Sequence, residues 1–438
     1  MSGPGPDDPS DPFANLPFFG DLSKLLGQQG PVAWDAASRL ALTLASGGES
    51  EPNIDPTVRL AFEELGRVAE VRISTATGLS TSIGGRTTSV VAVTRTQWVQ
   101  RSLDSYKPLL ERLGDALAQT PDDAEAIDPT DLSAGLDVPG GDPSALLGGM
   151  MKMLGPMMLG MTVGSMLGHL GRRSLGQYDL PLPRTGSHEV MVVPANIDAF
   201  GADWSLPTDE LRLWVCLHEL AHHAVLGVPH VGRTLQTLLG EFVSGFRPDP
   251  GALEQRLGDV AVGEAGIEGL QEVLSDPEAL LGVIRTPAQQ ASLDHIEALV
   301  AAVAGYVDHI MDEVGGTLIG SYQQVTEALR RRRVEADESD RFVERLLGLE
   351  LTQAVYDRGR AFVDGVVERS GAEGLERLWA DEASLPTPAE IDAPGLWLAR
   401  IGLAPSDEGA DDLDAGLQVP DDLSELDGLD DGPDEPTA

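Results

Sequence analysis

Residues 215 to 230 read VCLHELAHHAVLGVPH, and this stretch decides how the rest of the chain is interpreted. His218 and His222 are four residues apart, so on a helix their imidazoles project from one face, one turn apart. That spacing lets a nitrogen of each ring reach a single zinc ion at about 2 Å. Glu219 follows the first histidine, where it could take a proton from a metal-bound water. The stretch therefore predicts a zinc site on a helix.

The residues around the motif favour a buried helix. Neither proline nor charge interrupts the apolar positions from Val215 to Ala224 apart from the motif itself. Ser205 or Thr208 is expected to cap the helix, and Gly227 is expected to end it. A chance match to His-Glu-x-x-His at this composition is about a one-in-a-hundred event. The alternatives are a helix whose histidines serve the core, and a bound metal without catalysis.

The motif leaves the third metal ligand open. His230 follows a proline eight residues after His222 and begins a new segment, which makes it a weak candidate. Glu241 lies nineteen residues after His222 on the next predicted helix, where a glutamate could complete the site. Asp308 and His309 lie among apolar residues, where a charge is costly without a partner such as a metal. The choice therefore stays between Glu241 and Asp308, with His309 less favoured.

The composition excludes several classes of function. The 438 residues carry a net charge of −41, which argues against binding nucleic acid or an anionic membrane surface. The single cysteine, Cys216, allows neither an internal disulfide nor a cysteine-based zinc site. The N-terminus, MSGPGPDDPSDPF, lacks the pattern of a signal peptide, so the cytoplasm is expected. Basic residues are nearly all arginine, which suggests an actinobacterial, GC-rich genome.

One uncharged segment has about the length of a membrane-spanning helix. Residues 153 to 171 contain no Asp, Glu, Lys or Arg, but they include Pro156 and many glycines. Gly160, Gly164 and Gly168 share one helix face, where another backbone could approach closely. We expect a tightly packed, buried helix; membrane association or an oligomer contact is the alternative.

The rest of the chain predicts a mainly α fold with a minor small sheet. Apolar residues recur at helical spacing through most of it. The best strand candidate is HEVMVVPANI, at 188–197, which is apolar and β-branched. Composition divides the chain into a disordered tail at 1–15, a helical region at 16–120, an acidic linker at 121–143, a region with the motif at 144–403 and an acidic, disordered tail at 404–438.

A basic run stands out in this acidic chain. Residues 330 to 333 are four consecutive arginines on a predicted helix. We expect a solvated helix face that pairs with neighbouring glutamates. The alternative is recognition of an acidic segment, either this chain's own or a substrate's.

The motif belongs to a longer run, LRLWVCLHELAHHAVLGVPHV, and four later segments accompany it: GYVDHIMD, RFVERLLGLEL, YDRGRAFVDGVVER and LPTPAEIDAPGLWLARI. Together these segments resemble the actinobacterial zincin-like metallopeptidase type 2 family, whose members are labelled zinc-dependent metalloproteases or hydrolases. The resemblance extends over the chain between its two tails. It implies a zincin-like architecture with an N-terminal all-α part, and a catalytic region at 144–403.

The resemblance also implies roles for individual residues. By it, His218 and His222 are zinc ligands and Glu219 is the catalytic base. It strengthens Asp308 as the third ligand and leaves Glu241 open. It supplies no substrate.

These observations favour a zinc-dependent metallohydrolase, most simply a peptidase acting on a peptide or protein. Glu219 would activate a water for attack on the peptide carbonyl. One alternative is a zincin fold that serves as an inactive binding or scaffold protein. Another is a metal-dependent hydrolase of a non-peptide amide, since the same chemistry serves both bonds.

Overall fold

The computed structural model describes residues 30–82, 85–118, 143–184, 187–246, 286–334, 349 and 351–403. Both predicted tails and nearly all of the predicted acidic linker lie outside these residues. Of the predicted domain boundaries, none is tested by the fold, and they stay predictions.

The described chain is mainly helical with one small sheet, as the sequence predicts. In chain order the elements are α1 (Trp34–Ser46), α2 (Pro56–Thr77), β1 (Ser89–Ala92), α3 (Arg95–Leu117), α4 (Pro143–Arg173), β2 (Glu189–Val192), α5 (Pro194–Asp203), α6 (Thr208–Leu226), α7 (Pro229–Ser244), α8 (Pro287–Leu318), α9 (Tyr322–Val334), α10 (Gln353–Ser370), α11 (Ala372–Glu376), α12 (Pro388–Ile391) and α13 (Pro394–Arg400). A short 3₁₀ turn, Glu382–Ser384, precedes α12.

The sheet consists of β1 and β2, which run parallel with Val90 opposite Val190. The apolar run at 188–197 correctly predicts β2, although the strand is shorter than the run because Pro194 begins a helix. Strand β1 is not predicted from the sequence, because its four residues form a strand by pairing with β2. Gly176 forms an antiparallel bridge with Val192 and so ties the loop after α4 to this sheet.

The glycine face of α4 packs directly on α1. A Cβ on Gly160 would lie 2.6 Å from the carbonyl oxygen of Ala33, and one on Gly164 would lie 2.6 Å from that of Ala37. Gly168 makes a similar approach one turn later. The expectation of a tightly packed helix is therefore confirmed. In the part of the chain that the structure describes, no helix is both long and apolar enough to span a bilayer.

Helix α6 lies in the core, and every residue from Trp214 to Leu226 is buried. It contacts α2, α8 and β2. The prediction of a cap from Ser205 or Thr208 is wrong, because Pro207 occupies the N-cap and no side chain caps the helix. Gly227 ends the helix as predicted.

Helix α8 crosses α10 at two glycines. A Cβ on Gly305 would lie 2.2 Å from the carbonyl carbon and oxygen of Gly359. A Cβ on Gly359 would meet the carbonyl oxygen of Ala301 at 2.0 Å. The two backbones are therefore in direct contact. Helix α8 also packs against the motif helix, α6.

Candidate metal centre

The two motif histidines lie side by side on α6. Their ring centroids are 4.4 Å apart, and the indole of Trp214 stacks on His218 at 4.7 Å. The Nδ1 atom of His222 lies 3.1 Å from the carbonyl oxygen of His218. Only a protonated Nδ1 satisfies that contact, so the lone pair of His222 is on Nε2. A backbone contact of this kind is how proteins orient a metal-binding imidazole.

Glu219 is buried with one carboxylate oxygen satisfied and the other not. Its side chain is 1% exposed, and Oε2 accepts a hydrogen bond of 2.7 Å from the backbone N–H of Tyr178. Oε1 lies 3.6 Å from Nδ1 of His218 and has no hydrogen-bond partner among the described residues. Leaving a buried acceptor in that state costs about 1–3 kcal/mol.

The loop at residues 174–182 holds this carboxylate in place. A Cβ on Gly176 would lie 2.3 Å from Cδ of Glu219, so the loop backbone covers the carboxylate closely. The indole Nε1 of Trp98 donates to the carbonyl oxygen of Gly176 at 2.7 Å, and the N–H of Val193 donates to that of Leu175 at 2.8 Å. No sequence pattern indicates this loop, because its role depends on contacts with distant elements.

His223 belongs to the core beside the site. It is 1% exposed, its Nδ1 lies 2.9 Å from the hydroxyl of Tyr178, and its Nε2 lies 3.4 Å from the hydroxyl of Thr88. It does not line the cavity described next. His223 is therefore a core residue next to the site rather than a residue of the cavity wall.

Both motif histidines line a cavity of about 90 Å³. Asp179, Arg332 and Arg333 line it as well, together with Ala304 from α8 and other residues of α4 and the following loop. The cavity therefore joins the metal motif to charged side chains from α9.

The arginine run is divided between surface and cavity, which corrects the prediction of a single solvated face. Arg330 and Arg331 are exposed and pair with Glu327, as expected. Arg332 donates from Nη2 to Asp179 at 3.1 Å, and Arg333 lies in the cavity wall. The reason is geometric: four consecutive residues on a helix of 3.6 residues per turn point in every direction.

Burial controls the protonation of the motif. It lowers the pKa of His218 to about 4, with a further contribution from the charge of Arg333, and it lowers the pKa of His222 well below its ordinary value. Both imidazoles are therefore neutral near pH 7, which is the metal-binding form. Burial raises the pKa of Glu219 to about 8, and the negative charge of Asp179 adds to this effect. The carboxyl alone is therefore mostly protonated at pH 7, and a cation bound at the histidines would lower its pKa and restore the carboxylate that a base requires.

The candidate third ligands differ in their exposure and in their distance from the cavity wall. Glu241 is exposed on α7 and does not line the cavity. Asp308 and His309 are half-buried on α8, and Asp308 lies 3.7 Å from a guanidinium nitrogen of Arg333. Within the described ranges, no three acidic, histidine or cysteine side chains are gathered as a metal ion requires. The third ligand stays a prediction.

Two further residues, Cys216 on α6 and Tyr306 on α8, are buried in the core. Cys216 is buried, as expected of a small apolar residue. Tyr306 is 4% exposed and packs edge-on against Trp379, with ring centroids 5.4 Å apart. Neither residue lines the cavity.

The residues present fit a zinc ion. Two neutral imidazoles lie at a separation that lets them share one ion, and the unsatisfied Oε1 of Glu219 lies beside them. The described residues thus account for two zinc ligands, His218 and His222, and for the adjacent carboxylate of Glu219.

Comparison with known proteins identifies a shared fold and a family. A crystal structure described as that of "a putative hydrolase with a novel fold", from Chloroflexus aurantiacus, superposes with a TM-score of 0.59 at 23% identity. The match covers 85% of this chain and 99% of that one, and at such identity it shows a shared fold. No curated protein sequence matches the chain significantly. The model of the zincin-like metallopeptidase family matches residues 32–398, and the chain therefore belongs to the zincin-like metallopeptidase family.

Proposed function

We propose that this protein is a zinc-dependent peptidase in which His218 and His222 bind the metal and Glu219 is the general base. The observation that carries the proposal is the buried Oε1 of Glu219, which has no hydrogen-bond partner in the described chain and lies beside His218. If the histidines only packed in the core, a buried carboxylate oxygen without a hydrogen-bond partner would destabilise the fold and serve no purpose. An attacking water beside Oε1 would supply the missing partner.

In this proposal Glu219 transfers the proton and Tyr178 orients Glu219. Oε1 of Glu219 accepts a proton from the water and passes it to the leaving amine. The N–H of Tyr178 holds Oε2, so that the carboxylate keeps one orientation. Bound zinc would supply Lewis-acid polarisation of the substrate carbonyl and a lowered pKa for water. The substrate is a peptide or protein segment that places a carbonyl at the histidine pair.

For the third ligand we propose Asp308 ahead of Glu241. Neither residue lines the cavity, but Asp308 pairs with Arg333, which does line it, whereas Glu241 is exposed on α7. We expect Asp308→Asn to lose most of its zinc during dialysis, and Glu241→Gln to keep it. The opposite result would assign the ligand to Glu241, and His309→Ala would be the next variant if both kept zinc.

The test of the mechanism is Glu219→Gln, which keeps the shape of the side chain and removes the base. We expect this variant to bind as much zinc as wild type, and to hydrolyse peptides about 10²- to 10⁴-fold more slowly. Glu64→Gln is the matched control, because Glu64 is exposed on α2. The readout is a peptide library analysed by mass spectrometry for new termini.

Two outcomes would contradict the proposal. A Glu219→Gln variant with the wild-type rate would exclude Glu219 as the base. If small amides are hydrolysed and library peptides are not, the substrate class is wrong although the chemistry is right.

A further inference from the structure

The cavity beside the histidine pair carries an unusual charge for this protein. The chain as a whole has a net charge of −41. Among the described residues, the cavity wall nevertheless contains three arginines, Arg173, Arg332 and Arg333, and one carboxylate, Asp179. A cation-rich cavity in an acidic protein indicates a ligand with negative charge.

Arg332 is held firmly by the protein. Its Nη2 donates to the carbonyl oxygen of Arg173 at 2.7 Å and to Oδ2 of Asp179 at 3.1 Å. The same oxygen of Asp179 accepts from the N–H of Leu175 at 2.7 Å. Arg332 therefore anchors α9 to the loop that covers Glu219, and its charge contributes to the field in the cavity.

Among the described residues, the partners of Arg333 fix the orientation of its guanidinium without using all of its N–H donors. Its guanidinium lies over the ring of Tyr356 at 4.3 Å, which fixes its plane. Its ion-pair partner among the described residues is Asp308 at 3.7 Å, a distance beyond an ordinary hydrogen bond. The side chain keeps 25% of its surface exposed. A guanidinium has five N–H donors in a planar fork that matches a carboxylate, so Arg333 has donors for a ligand.

We propose that Arg333 binds a carboxylate of the substrate, beside the bond that would lie at His218 and His222. This assigns the substrate class of the proposed peptidase and rests on that proposal for the position of the cleaved bond. Binding of the carboxylate itself does not depend on hydrolysis. The carboxylate has two sources in a peptide, the free C-terminus or an Asp or Glu side chain.

The experiment measures binding of three small probes to the full chain by isothermal titration calorimetry. N-acetylleucine carries a terminal carboxylate, N-acetylleucinamide carries none, and the α-amide of N-acetylaspartate carries only a side-chain carboxylate. We expect wild type to bind at least one of the two acids about tenfold more tightly than the neutral amide. The stronger of the two identifies the source of the carboxylate.

The variants assign the preference to Arg333. In Arg333→Gln the ratio of the affinity for the acid to the affinity for the neutral amide should fall to nearly one. In Arg331→Gln, on the exposed face of the same helix, it should stay at the wild-type value. Arg333→Lys retains the charge without the fork, so we expect it to lose several-fold of the preference, and this variant decides the matter if Arg333→Gln does not fold.

The outcomes separate this inference from the proposed function. Equal binding of acids and amide by wild type, or an unchanged preference in Arg333→Gln, would overturn the inference whatever the enzyme hydrolyses. A preference that disappears in His222→Ala but persists in Arg333→Gln would also overturn it, because the metal would then be the carboxylate's partner. A preference that persists in His222→Ala and disappears in Arg333→Gln supports it, even if hydrolysis is never found.

Discussion

Gly305→Ala tests the helix crossing that sets the position of α8. The new Cβ would lie 2.2 Å from the carbonyl carbon and oxygen of Gly359. An ordinary contact is about 3.5 Å, so the two helices must separate by about 1 Å or more. The obstacle is backbone, which cannot rotate aside as a side chain can. Overpacking costs about 1–3 kcal/mol or more, and the helix propensity of alanine returns only about 1 kcal/mol. We expect a net loss of about 2 kcal/mol, taking the upper end for a backbone clash.

The matched control is Gly316→Ala on the same helix. A Cβ there would meet nothing within 4 Å, so the same substitution should leave stability unchanged or raise it by up to about 1 kcal/mol. Thermal unfolding followed by circular dichroism measures both variants, and in a chain of this size about 2 kcal/mol corresponds to roughly 2–4 °C in Tm. If Gly305→Ala unfolds at or above the wild-type temperature, the close crossing of α8 and α10 is wrong.

Two further predictions concern the covering loop and the C-terminal helices. Gly176→Ala would bring a Cβ to 2.3 Å from Cδ of Glu219; the carboxylate must move by about 1 Å, and we expect peptide hydrolysis to fall about 10²-fold while zinc stays bound. Unchanged hydrolysis would refute the role of this loop. Burial alone would raise the pKa of Glu390, but hydrogen bonds from Arg400 and Thr387 lower it in the folded protein. The charged Glu390 therefore stabilises the folded state above about pH 4.3, the unfolded-state pKa, and this contribution is lost as the pH falls through the lower folded-state pKa. Urea denaturation should show Glu390→Gln less stable than wild type at pH 7, with the gap closing below about pH 4; a gap that is constant with pH contradicts this.

The parts of the site that the sequence predicted are those determined by local spacing. His218 and His222 share a helix face because they are four residues apart, and the apolar positions around them bury that helix. The β-branched run at 188–197 marked β2, and the glycines of α4 marked a close helix contact. Each of these signals is contained in fewer than twenty residues.

The parts that sequence reasoning missed depend on contacts between distant segments. The loop around Gly176 covers Glu219 because Trp98 and β2 hold it there, and nothing in its own sequence indicates this. Strand β1 exists through its pairing. The arginine run was interpreted as one face, although a helix turns by about 100° per residue and so directs Arg333 inward.

The central claim is that the motif helix holds zinc, and metal content measured by elemental mass spectrometry tests it most directly. The samples are wild type, His218→Ala and His295→Ala, the last being an exposed histidine on α8. The account predicts about one zinc per chain in wild type and in His295→Ala, and its loss in His218→Ala. No zinc in wild type after metal-replete expression without chelators, or zinc retained in His218→Ala, would contradict it.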